Sequence, residues 1–236
     1  VTDAQTPAET PHFSIVLPVY NEEEYLTEIV DSYLAMLGRL GATHELVLVT
    51  NGCRDNSPAL ARELAEQHPE VVAIDLPVGG WGRAVRAGLA VARGDNVCYT
   101  NLARTSAQTL GLLLAYHLAF PDVVVKASRK MRDSFRRRMG SLIYNLECRA
   151  LFDTAVWDVN GTPKVFPRRF EQLLELQRED DLIDAEFVAR CRSGDYPIVD
   201  VPIQPTIRHG GTSTTNYGSA ARMYVGAVTL WLDRRR

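Results

Sequence analysis

Polar residues gather where the apolar runs of the chain stop: Tyr20-Asn21-Glu22, Thr50-Asn51-Gly52, Gly79-Gly80 and Asn101 to Arg104. Further on, Asp158 precedes the turn Asn160-Gly161-Thr162, and Asp180, Asp181 and Asp184 follow Glu179 in an acidic cluster. In a group transfer, a carboxylate can take the proton of a hydroxyl acceptor; a phosphate acceptor needs no base. Capping its turn is the other role open to Asp158, and a solvated acidic face is the other reading of the cluster. Asp184 and Glu186 are two apart, so on a helix they point in different directions and at most one faces a site. Gly80-Trp-Gly-Arg-Ala84 follows a third strand and lacks the final glycine of a dinucleotide fingerprint, which sets a dehydrogenase aside. Cys53, Cys98, Cys148 and Cys191 form no CxxC pair, so a zinc ribbon or disulfide scaffold is excluded and reduced thiols are expected.

Those loops need elements to hold them. Phe13 to Val19 reads as a buried strand, and Asn21 as the cap of a helix with Glu24 at the capping-box position. Leu26, Ile29, Val30, Tyr33 and Leu37 share one face of that helix. Strands are expected at Glu45–Thr50, Val71–Leu76, Asn96–Thr100 and Asp122–Ala127. Helices are expected from Ser57-Pro58, as cap and first helical residue, from Trp81 to Ala92 and from Ser106 to Phe120. The second half predicts a long amphipathic helix from Phe135 to Phe152 and a short strand at Lys164–Phe166. Helices near Phe170–Leu176 and Ala185–Arg192, a strand at Ile198–Val201, a Gly/Thr/Ser loop at Arg208–Asn216 and a last helix complete it. Alternating strands and helices predict an α/β fold with a mostly parallel sheet covered on both faces. Ligands of such sheets bind beyond the carboxyl ends of the strands, where the polar loops lie.

Composition narrows the class. The chain has 236 residues, 46% hydrophobic and 23% charged, which suits a globular domain and excludes a disordered, collagen-like or coiled-coil chain. With 26 basic and 29 acidic side chains the net charge is -3, so no nucleic-acid partner is expected. No apolar run approaches the roughly 18–20 residues that span a bilayer. Residues 1–12 read as a disordered leader. Residues 13–236 read as a single compact domain with a nucleotide-binding half (13–127) and an acceptor half (128–236), in a cytoplasmic protein.

The ordered motifs resemble family 2 glycosyltransferases of the GT-A fold. Ser14-Ile-Val-Leu-Pro-Val-Tyr-Asn-Glu-Glu23 is similar to the family's opening strand, and Glu45 to Ser57 to its second strand and turn. Lys126-Ala-Ser-Arg129, Asp158 to Lys164, Asp184-Ala-Glu186, Gly194 to Pro202 and Arg208-His-Gly-Gly-Thr-Ser213 resemble the polyprenol-phosphate sugar transferase branch. There are departures. Thr50 and Asn51 stand where the family usually has aspartates, and Asn101-Leu102-Ala103 replaces its Asp-x-Asp metal motif. Thr214 stands where a lysine is common. An amide can still donate to and accept from a base edge. A lone amide is a poor ligand for Mg²⁺ or Mn²⁺, so the metal motif is degenerate and no metal ligand is assigned.

The resemblance implies an inverting transfer of a sugar from a nucleotide-sugar donor, a UDP- or GDP-sugar. Pro18, Tyr20, Glu22, Asn51 and Asn101 would line the nucleoside, and Arg129, Arg208 and Ser213 the diphosphate. Arg104 would take over charge from a metal, since guanidinium groups pair well with phosphate oxygens. Asp158 or Asp184 would handle the acceptor, which could be polyprenol phosphate or a small molecule. Lys126 to Arg138 is rich in Lys and Arg and is followed by an apolar helix face, which could meet an anionic lipid surface peripherally. One alternative is a non-catalytic nucleotide-sugar-binding partner protein. A nucleotidyltransferase lacks support, because its Gly-rich first loop with a basic residue is missing.

Overall fold

The structure is a computed structural model that describes residues 10–129, 135–204 and 217–233. Its centre is one seven-stranded sheet: β1 (Phe13–Val19), β2 (His44–Asn51), β3 (Val71–Leu76), β4 (Asn96–Tyr99), β5 (Val124–Arg129), β6 (Lys164–Pro167) and β7 (Ile198–Ile203). The strand order is β3-β2-β1-β4-β6-β5-β7. β6 runs antiparallel between β4 and β5, and the other pairings are parallel. The carboxyl ends of β1 to β5 and β7, with the amino end of β6, therefore share one edge.

Among the described residues, seven helices cover the sheet: α1 (Leu26–Leu40), α2 (Ser57–Gln67), α3 (Trp81–Val91), α4 (Ala107–Ala119), α5 (Phe135–Phe152), α6 (Ile183–Ser193) and α7 (Tyr217–Asp233). The two-residue period of β1 separates the layers. Ile15 and Leu17 pack with Val30 and Tyr33 of α1, Leu64 of α2 and Leu110 of α4. Val16 points the other way, into a core with Val85 of α3, Cys148 of α5, Phe187 of α6 and Leu230 of α7. α6 is buried on nearly every side, from Ile183 through Ala189, which makes it the spine of the second half.

Local chemistry sets the helix ends. α1 stops at Gly41, whose φ of 71° is the left-handed C-cap conformation. The Ser106 hydroxyl accepts from the Thr109 N–H at 3.1 Å and caps α4. Asn21 does not cap α1, contrary to expectation. α1 begins after Tyr25, and Asn21 has φ 53° with its side chain turned to the neighbouring loop. Ser57 is the first residue of α2 and Asn56 its cap, one position earlier than expected. Phe170–Leu176 forms only a short 3-10 turn, Glu171–Leu173. The four cysteines are free thiols. Among the described residues, no helix is long and apolar enough to cross a membrane.

Candidate functional site

At the shared edge, β1 and β2 are tied together before any ligand arrives. Asn21 Oδ1 accepts from Arg54 N–H at 2.8 Å, and Ser57 Oγ accepts from Glu22 N–H at 2.9 Å. Asp55 accepts from Glu23 N–H, while the Glu23 carboxylate accepts from Asn56 N–H. Glu22 is 5% exposed and Tyr20 41% exposed, so Glu22 supports the turn and Tyr20 offers its ring. Pro18 lies one step back, inside buried β1.

Asn51 does more framing than the sequence indicated. Its Nδ2 donates to the Val19 carbonyl at 2.7 Å, and its Oδ1 accepts from Gly80 N–H at 3.0 Å. One buried amide thus fixes the end of β1 to the start of α3. Gly52 has φ 63°, and a Cβ there would lie 2.5 Å from Gly79 N. Only glycine combines that left-handed backbone with so close an approach. The start of α3 is covered in turn by the acidic segment: Arg83 N–H donates to the Glu179 carbonyl at 3.0 Å, and the Glu179 carboxylate pairs with Arg83 and Arg86. Glu186 holds this segment from below, accepting from the backbone of Gln177 and Arg178 and from Arg190.

The end of β4 carries the position implied for a metal. Leu102 and Ala103 are 1% and 4% exposed in a 3-10 turn, leaving Asn101 partly exposed and Arg104 exposed at the rim. Asn101 Oδ1 is buried without a hydrogen-bond partner. Among the described residues, no group of three His, Cys, Asp or Glu side chains could hold a metal ion. An amide, a leucine and an alanine do not supply the hard oxygen ligands that Mg²⁺ or Mn²⁺ requires. Near the β1 and β2 loops lies a cavity of about 370 Å³, lined by Glu22, Glu23, Glu24, Asp55 and Arg54 among others. Its excess of carboxylates makes it unfavourable for a polyanion.

Across the sheet the site changes character. Asp158, expected to handle an acceptor, is 3% exposed and grips Arg129. The Arg129 Nε and Nη2 donate to its two oxygens at 2.7 and 3.0 Å, and the Arg129 N–H adds a third bond at 3.0 Å. Burial alone would lower the Arg129 pKa; the bonds and charge of Asp158, helped by Asp184, outweigh it and hold it raised. A Cβ on Gly161 would overlap the Ala127 carbonyl at 2.0 Å, so this glycine lets the Asp158 turn close against the end of β5. Asp158 and Arg129, given separate roles by sequence, are one unit.

Asp184 is likewise spoken for. It accepts from Tyr99 Oη at 2.9 Å, from Trp81 Nε1 at 3.2 Å and from Lys164 Nζ. Tyr99, Lys164, Lys126 and Asp200 are successive cross-strand partners on β4, β6, β5 and β7. Lys126 and Lys164 are fully buried, and Lys126 Nζ donates to Asp200 at 2.7 Å. Burial lowers the Lys164 pKa, with Asp184 opposing. Burial and the adjacent Asp184 raise the Tyr99 hydroxyl well above its ordinary value. Sequence reasoning missed Trp81, Tyr99, Lys126, Lys164 and Asp200 as members of the site's foundation. The signal was a lysine inside an apolar strand, Val123-Val-Val-Lys-Ala127, since a buried lysine demands a partner. Asp181 differs from its neighbours: desolvation and the charges of Asp184 and Asp180 raise its pKa, while Arg222 opposes them. Arg208 and Ser213 lie outside the described residues.

This arrangement can be set beside known proteins. The undecaprenyl-phosphate 4-deoxy-4-formamido-L-arabinose transferase of Pseudomonas fluorescens (strain SBW25) is 30% identical over 189 residues, covering 79% of this chain and 52% of the relative. The transferase of the same name from Sodalis glossinidius (strain morsitans) is 26% identical, covering 95% of this chain and 69% of the relative. This chain spans about half the length of most of these curated relatives. In fold it resembles glucosyl-3-phosphoglycerate synthase from Mycobacterium tuberculosis, solved in complex with Mn²⁺, uridine diphosphate and phosphoglyceric acid. The TM-score is 0.71 at 19% identity, covering 95% of this chain and 78% of that one. The α/β sheet with its covering helices is the GT-A architecture. The pattern of the glycosyl transferase family 2 matches residues 14–174, and with that match this chain belongs to family 2 of the glycosyl transferases.

Proposed function

We propose that this chain transfers a sugar from a nucleoside diphosphate donor, a UDP- or GDP-sugar, to the phosphate of a polyprenol-type lipid. The observation that carries the acceptor class is the state of its carboxylates. Asp158 is saturated by Arg129 and Asp184 by Lys164, Tyr99 and Trp81. The oxygens of both carboxylates are already engaged inside the protein, so neither stands open to the proton of a hydroxyl acceptor. A phosphate is already ionised at neutral pH and attacks without one. Tyr20, Glu22, Asn51 and Asn101 line the nucleoside side of the edge in this reading, with Arg104 and Arg129 towards the diphosphate. The relatives named above act on undecaprenyl phosphate, which agrees with this acceptor class.

A lipid acceptor brings the protein to a membrane surface. Leu142, Ile143 and Leu146 of α5 and Val225, Val228 and Leu232 of α7 are exposed on two helices that pack together, an apolar face that supports peripheral contact. A hydroxyl acceptor is the second reading, favoured by Asp181, an exposed carboxylate of the acidic cluster and the kind of base such an acceptor needs. The test is release of UDP or GDP from a panel of nucleotide sugars, with undecaprenyl phosphate in detergent micelles or with hydroxyl acceptors. Turnover with the lipid phosphate that survives Asp181→Asn is the expected result. Turnover with hydroxyl acceptors alone, lost in Asp181→Asn, would establish the second reading. Nucleotide binding with no turnover on any acceptor would return the non-catalytic partner reading.

A further inference from the structure

The end of β4 disagrees with a metal-bound donor, and the disagreement is systematic. A divalent ion held by two carboxylates adds no net charge to a site. The same carboxylates without the ion would place two negative charges beside a diphosphate, at a cost that grows as water is excluded. A site that has given up the ion must therefore give up both carboxylates, and here both positions are neutral: Asn101 and the buried Ala103. The next residue, Arg104, is an exposed cation that ends the same 3-10 turn.

We infer that this chain binds the diphosphate of its nucleotide without a divalent cation, with the Arg104 guanidinium supplying the positive charge at the end of β4. The inference rests on the donor class proposed above. A guanidinium pairs bidentately with phosphate oxygens and keeps its charge across the whole neutral range. Asn101 takes a different part. Its orphaned Oδ1 is an acceptor, so it suits a sugar hydroxyl and not a phosphate oxygen. The turn thus divides recognition between an amide for hydroxyls and a guanidinium for charge. During transfer, the same cation stabilises the charge that accumulates on the leaving phosphate as the glycosidic bond breaks.

Calorimetric titration of UDP, GDP, CDP and dTDP into the chain tests this, once in EDTA and once in Mn²⁺, with thermal melts confirming that each variant is folded. The nucleotide that binds is expected to do so equally in both buffers. Arg104→Ala should weaken it by about 10- to 100-fold in EDTA, the loss typical of a hydrogen bond to a charged group. Asn101→Asp should weaken binding in EDTA and regain it in Mn²⁺, because it restores one carboxylate. Binding that needs Mn²⁺ and is indifferent to Arg104→Ala would overturn the inference while leaving the donor class standing. Metal-free binding unchanged in Arg104→Ala would overturn the arginine's part. Binding of no nucleotide in either buffer would overturn the donor class and the inference with it.

Discussion

The two halves of the sheet satisfy their buried polar groups in opposite ways. From β1 to β4 the edge is tied by neutral side chains and exposed carboxylates to backbone groups: Asn51 to Val19 and Gly80, Asn21 to Arg54, Ser57 to Glu22. From β5 to β7 the interior carries whole charges in pairs: Lys126 with Asp200, Lys164 with Asp184, Arg129 with Asp158. Three cations meet three anions, so these pairs add no net charge to the interior while each member is indispensable to its partner. Glu45 departs from the pattern in the first half, but its partner Arg93 is at the surface, at the opposite edge from the site. In the proposed reading, a nucleoside pocket framed by neutral groups needs only to be held in shape, and a half that meets an acceptor phosphate gains from fixed charge beneath it, provided that charge is already balanced.

The largest effect should follow from splitting a buried pair. Asp184→Ala strands the fully buried Lys164 and removes the partner of Tyr99 and Trp81. Breaking such a pair typically costs about 3–5 kcal/mol, read as a lowered urea midpoint. The double variant Lys164→Met with Asp184→Asn should recover much of that loss, since no charge is left unpaired. If the double variant were as unstable as the single, the pair would not be the unit described here.

In the first half, shape is the vulnerable quantity. Gly52→Ala forces a side chain into a left-handed backbone and against Gly79 N. The left-handed conformation alone costs about 1–2 kcal/mol, and the clash adds to it. The effect should be local, with nucleotide affinity falling more than global stability. Asn51→Ala should cost a comparable amount, about 1–3 kcal/mol for the unpaired Gly80 N–H. A chemical-shift map showing both Gly52 and Asn51 variants unperturbed at Gly79 and Gly80 would break the claim that one amide and one glycine set this corner.

Most of the fold could be read from the sequence because each strand and helix carries its own period. The third strand has the bounds expected of it, Val71–Leu76. What escaped was pairing at a distance. β6 is four residues long, and nothing in Lys164-Val-Phe-Pro167 says that it runs antiparallel between β4 and β5. The pairs Arg129–Asp158 and Lys126–Asp200 join residues 29 and 74 apart in sequence. Sequence could pick out Asp158, Asp184 and Arg129 as chemically interesting, but their partners depend on strand order. Asn21 misled for a related reason. A Ser/Thr/Asn/Asp residue before an apolar helix face reads as a cap, yet its amide found a better-placed backbone N–H on the neighbouring loop.

The smallest effect concerns pH and extends the contrast to the far end of the first half. His117 on α4 is buried, and its Nε2 lies 2.8 Å from the Asn96 Oδ1 acceptor, so that nitrogen carries the proton of a neutral ring. Burial is the main reason its pKa is lowered, to about 4. Because the folded value lies below the unfolded one, the unfolded chain takes up the proton first as pH falls. Stability is therefore complete above about 6.5 and is lost progressively as pH drops towards 4. At pH 6 the loss should be only about 1 kcal/mol. Glu45 acts in the same direction but later: Ser14 and Arg93 overcome its burial and lower its pKa, so its contribution holds above about 4.5 and fails below. Carboxylates such as Asp181 are shifted upwards and act in the opposite direction, so the histidine is isolated by comparing a variant with the parent chain. His117→Gln keeps a donor for Asn96 and removes the titration, so the difference in urea stability between pH 7.5 and 6 should shrink by about 1 kcal/mol relative to the parent chain. An identical slope in both would mean that the histidine is not held neutral, and the first half would then tolerate buried charge as the second does.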